Sequence, residues 1–282
     1  MNSVKQFLKP FGQHVIKPCQ HVISRNLSLE SNYTRINDQT IHFVRAGQGP
    51  EPVLLLPGAL GSATSDFTPQ LEGLDRDKFT LIGWDPPGYG GSRPPARNFH
   101  NFFAADARCA HTLMHQLGFD GGFSAVGWSD GGITALVLAG RYPAAVRKLV
   151  VFGSNAYISQ ADIDMIDKVA DVSAWSDRMK KPMFEMYGDG FPALWTDWCN
   201  AYREIYRRDG GDICCGDLKA IHAPTLVIHG AKDVMVAEEH VEHLTSNIRN
   251  AKSYIFPEGK HNLHFKYQKE FNKMVEEFIL AA

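Results

Sequence analysis

The chain has 282 residues, of which 44% are hydrophobic and 21% charged, and its formal net charge is −2. This is the composition of a globular protein, and no run approaches the roughly 20 consecutive apolar residues that span a bilayer. The five cysteines are odd in number and irregularly spaced. They therefore predict neither a disulfide framework nor a zinc site, and a reducing compartment fits them best.

The first 29 residues differ from the rest because they are basic and contain no acid. Lys5, Lys9, Lys17 and Arg25 are spread among scattered apolar residues. A secretory signal needs a compact apolar stretch of about 7–15 residues, which is missing here. The pattern predicts a mitochondrial transit peptide over residues 1–29; the alternative is a disordered basic tail of a cytoplasmic protein. Without this segment the chain is more acidic, which disfavours nucleic acid or an anionic membrane as a partner.

Short apolar runs bounded by turns predict strands along the rest of the chain. They are residues 33–36, 40–44, 53–56, 79–84, 123–126, 148–152, 224–230 and 253–257. Helical spacing is found at residues 104–117, 133–140 and 271–280. The first two strands are expected to form a hairpin, and the later strands alternate with helices. This order predicts an α/β fold with a mostly parallel sheet, helices on both faces, and chemistry at the carboxyl ends of the strands.

The strand pattern stops between about residues 155 and 220, where large aromatic residues stand among acids and bases. Such a segment is too long for a plain loop, so we predict a helical lid inserted over the strand ends. Its aromatic side chains line the ceiling of a pocket or form the core of the lid itself. Lid and sheet are expected to form one unit over residues 30–282.

The most informative motif is Gly-Trp-Ser-Asp-Gly at residues 127–131, which follows an apolar strand and precedes a helix. In that setting Gly-x-Ser-x-Gly is typical of a nucleophile elbow, a turn so tight that side chains at the glycines would collide with neighbouring elements. The alternative is an ordinary glycine-rich turn. The context favours Ser129 as a nucleophile.

A serine nucleophile needs a base, and the base needs an acceptor that fixes its tautomer. The chain order expected for this elbow is Ser, then Asp or Glu, then His. Asp233 and His261 each follow a predicted strand, in that order. We therefore predict Ser129, Asp233 and His261 as the catalytic residues.

Other acids and a second histidine compete for these roles. Glu238 and Glu239 are better explained as the start of a surface helix, and His264 lies one turn beyond the predicted base. Asp85 also follows a strand but precedes the elbow, and an Asp in such a turn usually stiffens the loop through backbone hydrogen bonds.

An oxyanion hole needs two backbone amides directed at the developing charge. The amide of Asp130, directly after the nucleophile, is the first candidate. The second is expected from the glycine-rich loop after the strand at residues 53–56, where Ala59 is the first candidate and Leu60 the alternative.

Several motifs together resemble the α/β-hydrolase superfamily and, within it, the group of valacyclovir hydrolases or biphenyl hydrolase-like proteins. The similarity extends from about residue 33 to the end of the chain. The motifs are LLLPGALG, WDPPGYGGSRPP, GWSDGGITAL, SNAY, VIHGAKD and PEGKHNLH. The resemblance implies an α/β-hydrolase fold and a serine esterase that cleaves α-amino acid esters, with the lid shaping the alcohol side.

Asp130 connects this resemblance to the chemistry. A carboxylate beside an oxyanion hole opposes a negatively charged intermediate, unless the substrate brings an ammonium group to it. An α-amino acid ester carries such a cation one carbon from the reacting carbonyl, so Asp130 is also predicted to bind the substrate ammonium. The alternative is an Asp that caps the following helix.

Together these features predict a serine esterase that acts through an acyl-enzyme on a small-molecule ester, without a metal or cofactor, as a monomer. The alternatives within reach are a carbon–carbon bond hydrolase of the same fold and a weakly catalytic ligand-binding module. Asp130 argues against the former, which needs a clamp for a substrate carboxylate, and the complete Ser, Asp and His set argues against the latter.

Overall fold

A computed structural model describes residues 29–281. The targeting segment predicted for residues 1–29 lies outside the described residues, apart from Leu29, and stays a prediction. The strands of the described chain are β1 (Glu30–Ile36), β2 (Gln39–Ala46), β3 (Glu51–Leu56), β4 (Phe79–Trp84), β5 (Phe123–Trp128), β6 (Val146–Phe152), β7 (Thr225–Gly230) and β8 (Ala251–Phe256).

Helices alternate with these strands. They are α1 (Ala63–Gly73), α2 (Phe102–Gln116), α3 (Asp130–Arg141), α4 (Gln160–Val169), α5 (Asp177–Tyr187), α6 (Phe191–Asp209), α7 (Cys215–Leu218), α8 (Glu239–Asn247), α9 (Leu263–Lys266) and α10 (Gln268–Leu280). Within the described part of the chain, no helix is both long enough and apolar enough to cross a membrane.

All of these strands belong to one sheet, in the order β1-β2-β4-β3-β5-β6-β7-β8. β2 runs antiparallel to β1 and β4, whereas β4, β3, β5, β6, β7 and β8 are parallel. The predicted mostly parallel α/β sheet is therefore confirmed. Because parallel strands end at the same edge, the loops after β3, β5, β6, β7 and β8 come together there.

The sheet is covered by helices on both faces, as the continuous apolar strands predict. Strand β3 shows this directly: Leu54 and Leu56 face the core that contains α2 and α3, whereas Val53 and Leu55 face the core that contains α1 and α10. All four side chains are fully buried. The central strands are thus fixed from both sides, which makes their carboxyl ends a rigid platform.

Helix α1 is not among the helices that the sequence pattern predicts. It begins at a capping box in which Ser62 and Ser65 each accept a hydrogen bond from the backbone amide of the other. The usual partner at the third helical position is Glu or Gln, and Pro69 inside the helix obscures its periodicity.

A helical insertion, which we define as residues 153–224 between β6 and β7, contains α4 to α7. Much of its aromatic content packs within the insertion: the Trp195 and Trp198 rings stack 4.6 Å apart, and Trp175 packs edge-on against Trp195. Two side chains of α6, Trp198 and Tyr202, also reach the end of β5, where they contact the residue that begins α3.

A buried ion pair joins α2 to the loop after β4. Arg97 donates two hydrogen bonds to Asp106, at 2.9 and 2.6 Å, and a third to the carbonyl oxygen of Pro87 at 2.8 Å. The Arg97 and Asp106 side chains are 3% and 5% exposed. The Arg97 guanidinium also lies over the Tyr89 ring. Its charge is compensated locally by Asp106.

Asp106→Ala is expected to lower the free energy of unfolding by about 3–5 kcal/mol, because it leaves the Arg97 cation buried without a partner. Urea unfolding followed by circular dichroism measures this loss. The matched control is Asp167→Ala, which breaks the more exposed pair with Arg203 and is expected to cost about 0–1 kcal/mol. Equal losses in the two variants would contradict the assignment of Arg97 as a fully desolvated cation.

Candidate active site

Ser129 lies one residue beyond β5, in a strained turn into α3. Its backbone φ is 54° and ψ is −123°, a conformation that residues other than glycine rarely adopt. The turn is this tight because α3 starts directly against the sheet: a Cβ on Gly131 would overlap the carbonyl oxygen of Leu56, and one on Gly127 would overlap that of Gly131. The glycines of the motif are therefore required by the close approach of the backbone.

The structure brings Ser129, His261 and Asp233 together. The His261 Nε2 to Ser129 Oγ distance is 3.1 Å, and the His261 Nδ1 to Asp233 Oδ2 distance is 2.9 Å. Because Asp233 accepts from Nδ1, Nε2 carries the lone pair that faces the serine hydroxyl. These residues follow β5, β8 and β7, which end at one edge of the sheet.

The buried Asp233 carboxylate is held in its charged form. Burial acts to raise its pKa, but the hydrogen bond and charge of His261 and the backbone amides of Met235 and Val236 together hold it below the ordinary value. Asp233 therefore stays an acceptor at neutral pH and can stabilise an imidazolium at His261.

Gly153, directly after β6, makes room for the His261 and Asp233 pair. Its φ is +54°, and a Cβ at this position would lie 3.0 Å from His261 Nδ1 and 3.4 Å from Asp233 Oδ2. Sequence reasoning missed this residue. The sequence does contain a signal for it. Gly153 directly follows a buried strand, and that strand lies between the strand that precedes Ser129 and the strand that precedes Asp233.

The competing residues have other partners. His264 is buried and its Nε2 faces the carbonyl oxygen of Asp66 at 2.9 Å, so burial lowers its pKa to about 3 and it stays neutral. Asp85 accepts backbone amides of Ala63 and Gly91, both at 2.7 Å. Glu239 is the first residue of α8.

The backbone amides beside Ser129 offer hydrogen bonds to a ligand. Asp130 is the first residue of α3, so its amide has no partner within the helix. The loop after β3 forms a turn in which Gly61 donates to Gly58 at 3.1 Å and Leu60 has a φ of 57°. Gly58 lies against Ser129, since a Cβ there would be 3.3 Å from that of the serine. Ala59 and Leu60, the central residues of this turn, both remain candidates.

Two side chains from other elements hold this loop in place. The buried Asp66 of α1 accepts the amide of Gly58 at 2.9 Å, and Tyr187 at the end of α5 donates its hydroxyl to the carbonyl oxygen of Leu60 at 2.8 Å. Burial raises the pKa of Asp66 to about 6, despite hydrogen bonds from Ser65 and Gly58 that lower it. Neither residue was singled out from sequence, because both contacts depend on tertiary packing.

The Asp130 carboxylate does not cap α3 but points towards the helical insertion. Its Oδ2 accepts from Trp198 Nε1 at 2.8 Å and its Oδ1 from the Tyr202 hydroxyl at 2.6 Å. Burial raises its pKa to about 6, although both hydrogen bonds act to lower it. The difference from the ordinary value of 3.8 corresponds to roughly 3 kcal/mol. This cost to folding is absent below pH 3.8 and fully present above about pH 6.

This arrangement can carry out nucleophilic acyl transfer. A serine hydroxyl faces an imidazole lone pair, the imidazole is oriented by a buried carboxylate, and a helix N-terminus lies beside the serine. Among the described residues, no group of three or more His, Cys, Asp or Glu side chains could hold a metal ion. The geometry is that of a serine hydrolase.

Comparison with known proteins places the chain in a family. The α/β-hydrolase fold family matches residues 51–186. A mouse protein named "Serine hydrolase BPHL" is 39% identical over 279 residues, covering 98% of this chain and 96% of the relative. The human protein of the same name is 41% identical over 254 residues, covering 89% and 87%. The chain belongs to the α/β-hydrolase family and is a serine hydrolase.

Solved structures share the fold at lower identity. A meta-cleavage product hydrolase from Pseudomonas fluorescens superposes with a TM-score of 0.70 at 22% identity, over 86% of this chain and 94% of that one. An enol-lactonase from Burkholderia xenovorans gives a TM-score of 0.69 at 21% identity, over 89% and 100%. At this identity they show the fold alone.

Gly153→Ala is expected to lower kcat for an aryl ester by about 10- to 100-fold, because the added methyl group has to displace His261 by a few tenths of an ångström. Steady-state kinetics with p-nitrophenyl acetate measure the change. Gly118→Ala is the matched control: Gly118 has a φ of +84° but nothing within 4 Å of its Cβ position, so this variant is expected to lose stability and keep its kcat. A Gly153→Ala enzyme with unchanged kcat would show that the pair tolerates the intrusion.

Proposed function

We propose that this serine hydrolase cleaves carboxylic esters of α-amino acids through an acyl-enzyme on Ser129. His261 takes the serine proton as Oγ attacks the ester carbonyl, and then returns the proton to the departing alcohol. Asp233 orients the imidazole and stabilises its charged form. The amides of Asp130 and of Ala59, or alternatively Leu60, stabilise the oxyanion. Water then repeats the sequence on the acyl-enzyme, so the reaction needs no cofactor.

The observation that supports the substrate class is an excess of negative charge buried beside the serine. Asp130, Asp106 and Arg97 lie close enough for each to influence the charge of the others. Arg97 bonds to Asp106 through two nitrogens, so these two charges compensate each other. Asp130 is left with two neutral donors, Trp198 and Tyr202. A cationic group on the substrate neutralises the remaining negative charge of Asp130.

An α-amino acid ester supplies that cation where it is needed. Its ammonium group is one carbon from the carbonyl that Ser129 attacks, and Asp130 is the next residue along the chain. Opposite unit charges about 4 Å apart attract by roughly 1–4 kcal/mol at effective dielectric constants of 80 to 20. The same carboxylate without a cation disfavours the oxyanion. It thus selects against esters that lack the ammonium group.

The relatives support the reaction class, and Asp130 supports the substrate. Two proteins at 39% and 41% identity are named serine hydrolases, which agrees with attack by Ser129. As part of the same proposal, the enzyme acts on small-molecule esters as a monomer. The basic, acid-free residues 1–29 support a mitochondrial location, which fractionation of cells expressing the full chain tests.

Asp130→Asn is expected to reduce kcat/KM for an α-amino acid ester by about 5- to 1000-fold relative to the N-acetylated form of the same ester. That range corresponds to the loss of roughly 1–4 kcal/mol of charge attraction. An Asn fits the site because its oxygen can accept from Trp198 while its amide donates to the Tyr202 hydroxyl. Initial rates on both esters, with the same side chain and leaving group, provide the ratio.

The control is Asp197→Asn, which removes an exposed carboxylate from the same helix as Trp198 and is expected to leave the ratio unchanged. Equal losses of activity on the free and the acetylated ester would refute the ammonium role of Asp130. The serine mechanism would still stand, because a loss that is equal for the neutral ester does not depend on the charge of the substrate.

The ratio of kcat/KM for the free ester to that for the acetylated ester is expected to be bell-shaped in pH. It falls below about pH 6, where Asp130 takes up a proton, and above about pH 8, where an α-amino group loses one. Any contribution of His261 cancels, since both substrates need the same base. A flat ratio across this range would exclude a charge interaction between Asp130 and the substrate.

Tyr202→Phe extends this test. The Tyr202 hydroxyl lowers the pKa of Asp130, so its removal is expected to move the acid limb of the ratio to higher pH while the alkaline limb stays in place. A purely structural role of Tyr202 predicts lower activity on both esters and no movement of the limb.

A further inference from the structure

A second set of hydrogen-bonded Ser, His and Asp side chains lies outside the Ser129 site. The Ser31 Oγ to His42 Nε2 distance is 2.8 Å, and the His42 Nδ1 to Asp85 Oδ2 distance is also 2.8 Å. Both distances are shorter than the corresponding ones at Ser129. Ser31 lies in the edge strand β1, His42 in β2 and Asp85 in the loop after β4.

Strand register places these groups together. His42 pairs with Tyr33 across the antiparallel ladder, and Ser31 is two residues from Tyr33, so its side chain lies on the same face. The amide of Asp85 donates to the carbonyl oxygen of His42 at 3.0 Å, which places the carboxylate beside Nδ1 of the ring. The Tyr33 ring packs against the imidazole with centroids 5.0 Å apart.

The environment of Asp85 fixes the proton on His42. Asp85 is 2% exposed, and its two oxygens also accept the amides of Ala63 and Gly91. A carboxylate among donors acts as an acceptor, so His42 Nδ1 carries the hydrogen. Nε2 then presents its lone pair to the hydroxyl of Ser31, which is exposed to solvent.

We propose that Ser31, His42 and Asp85 form a second nucleophilic centre, at which Ser31 accepts acyl or phosphonyl groups from activated donors. The donors are compounds whose leaving group departs readily, such as aryl esters, thioesters and phosphonofluoridates. With a phosphonofluoridate the Ser31 Oγ–P bond forms, the P–F bond breaks, and fluoride leaves with the electron pair. The hydroxyl proton moves to His42 Nε2, and Asp85 stabilises the resulting imidazolium.

The two centres differ in how well they stabilise the oxyanion that forms when the serine attacks. Ser129 lies at the N-terminus of α3, whereas Ser31 lies within the extended strand β1. The Ser31 centre thus has a general base but lacks the helix N-terminus that stabilises an oxyanion at Ser129. The expected product is one stable covalent adduct per chain rather than turnover.

The experiment uses the full chain with Ser129→Ala, treated with a fluorophosphonate probe. Intact mass spectrometry is expected to show one adduct per chain, and peptide mapping is expected to place it on Ser31. His42→Gln in the same background is expected to slow labelling by about 100-fold or more, as for loss of a general base. Ser31→Ala in that background removes the adduct, whereas Ser31→Ala alone leaves aryl ester turnover unchanged.

Ser173 serves as an internal control, because it is exposed and its side chain bonds to no imidazole in the described part of the chain. Labelling of Ser31 no faster than of Ser173 would overturn the proposal, and this comparison needs no change near His42. Equal labelling rates with His42 and with Gln at that position would do the same. Aryl ester turnover by the His42→Gln single variant verifies that the fold persists.

Discussion

The passage from β5 into α3 is the constraint on which the rest of the site depends. Helix α3 starts so close to the sheet that Gly131 lies against the carbonyl of Leu56, and Ser129 is forced into a positive φ. This strain is maintained because β5 is paired on both sides, with β3 and β6. The same geometry places the serine hydroxyl beside His261 and leaves the amide of Asp130, at the N-terminus of α3, without a partner inside the helix. In the proposed mechanism this amide donates to the oxygen on which negative charge develops.

Buried charge is distributed unevenly around this turn. Arg97 and Asp106 compensate each other, whereas Asp66 and Asp130 are both buried with pKa values raised to about 6. The Asp66 carboxylate accepts a hydrogen bond from the amide of Gly58 and thereby holds the loop after β3 in place. The side chains that donate to Asp130 in the described part of the chain, Trp198 and Tyr202, are neutral, so the ionisation of this buried carboxyl lowers the stability of the fold. Such costs concentrate at functional sites, where a ligand rather than the fold offsets them.

The fold and the proximity of Ser129, Asp233 and His261 could be predicted because both follow from local patterns and one topological rule. Ser129, Asp233 and His261 are far apart in sequence, yet each follows an apolar strand, and parallel strands end at one edge. The partners of Asp130 could not be found in this way. Trp198 and Tyr202 lie 68 and 72 residues away on an inserted helix, and their approach depends on how that helix docks. Asp66 and Gly153 were missed for the same reason, since each acts through a neighbour that only the packed structure supplies.

Besides Gly153, which lies against His261 and Asp233, the helical insertion contacts the residues around Ser129 at two separate points in the described part of the chain. Tyr187 holds the carbonyl of Leu60, and Trp198 with Tyr202 holds the carboxylate of Asp130. The insertion therefore helps to position the residues around Ser129 and is not a separate module that could be exchanged without affecting them. A change in how the insertion docks is expected to alter reactivity and substrate preference together, because the same segment contacts the loop after β3 and the carboxylate of Asp130. A functional chimera is therefore expected to require these three anchoring side chains, whereas the outer surface of the insertion makes no such contact in the described residues.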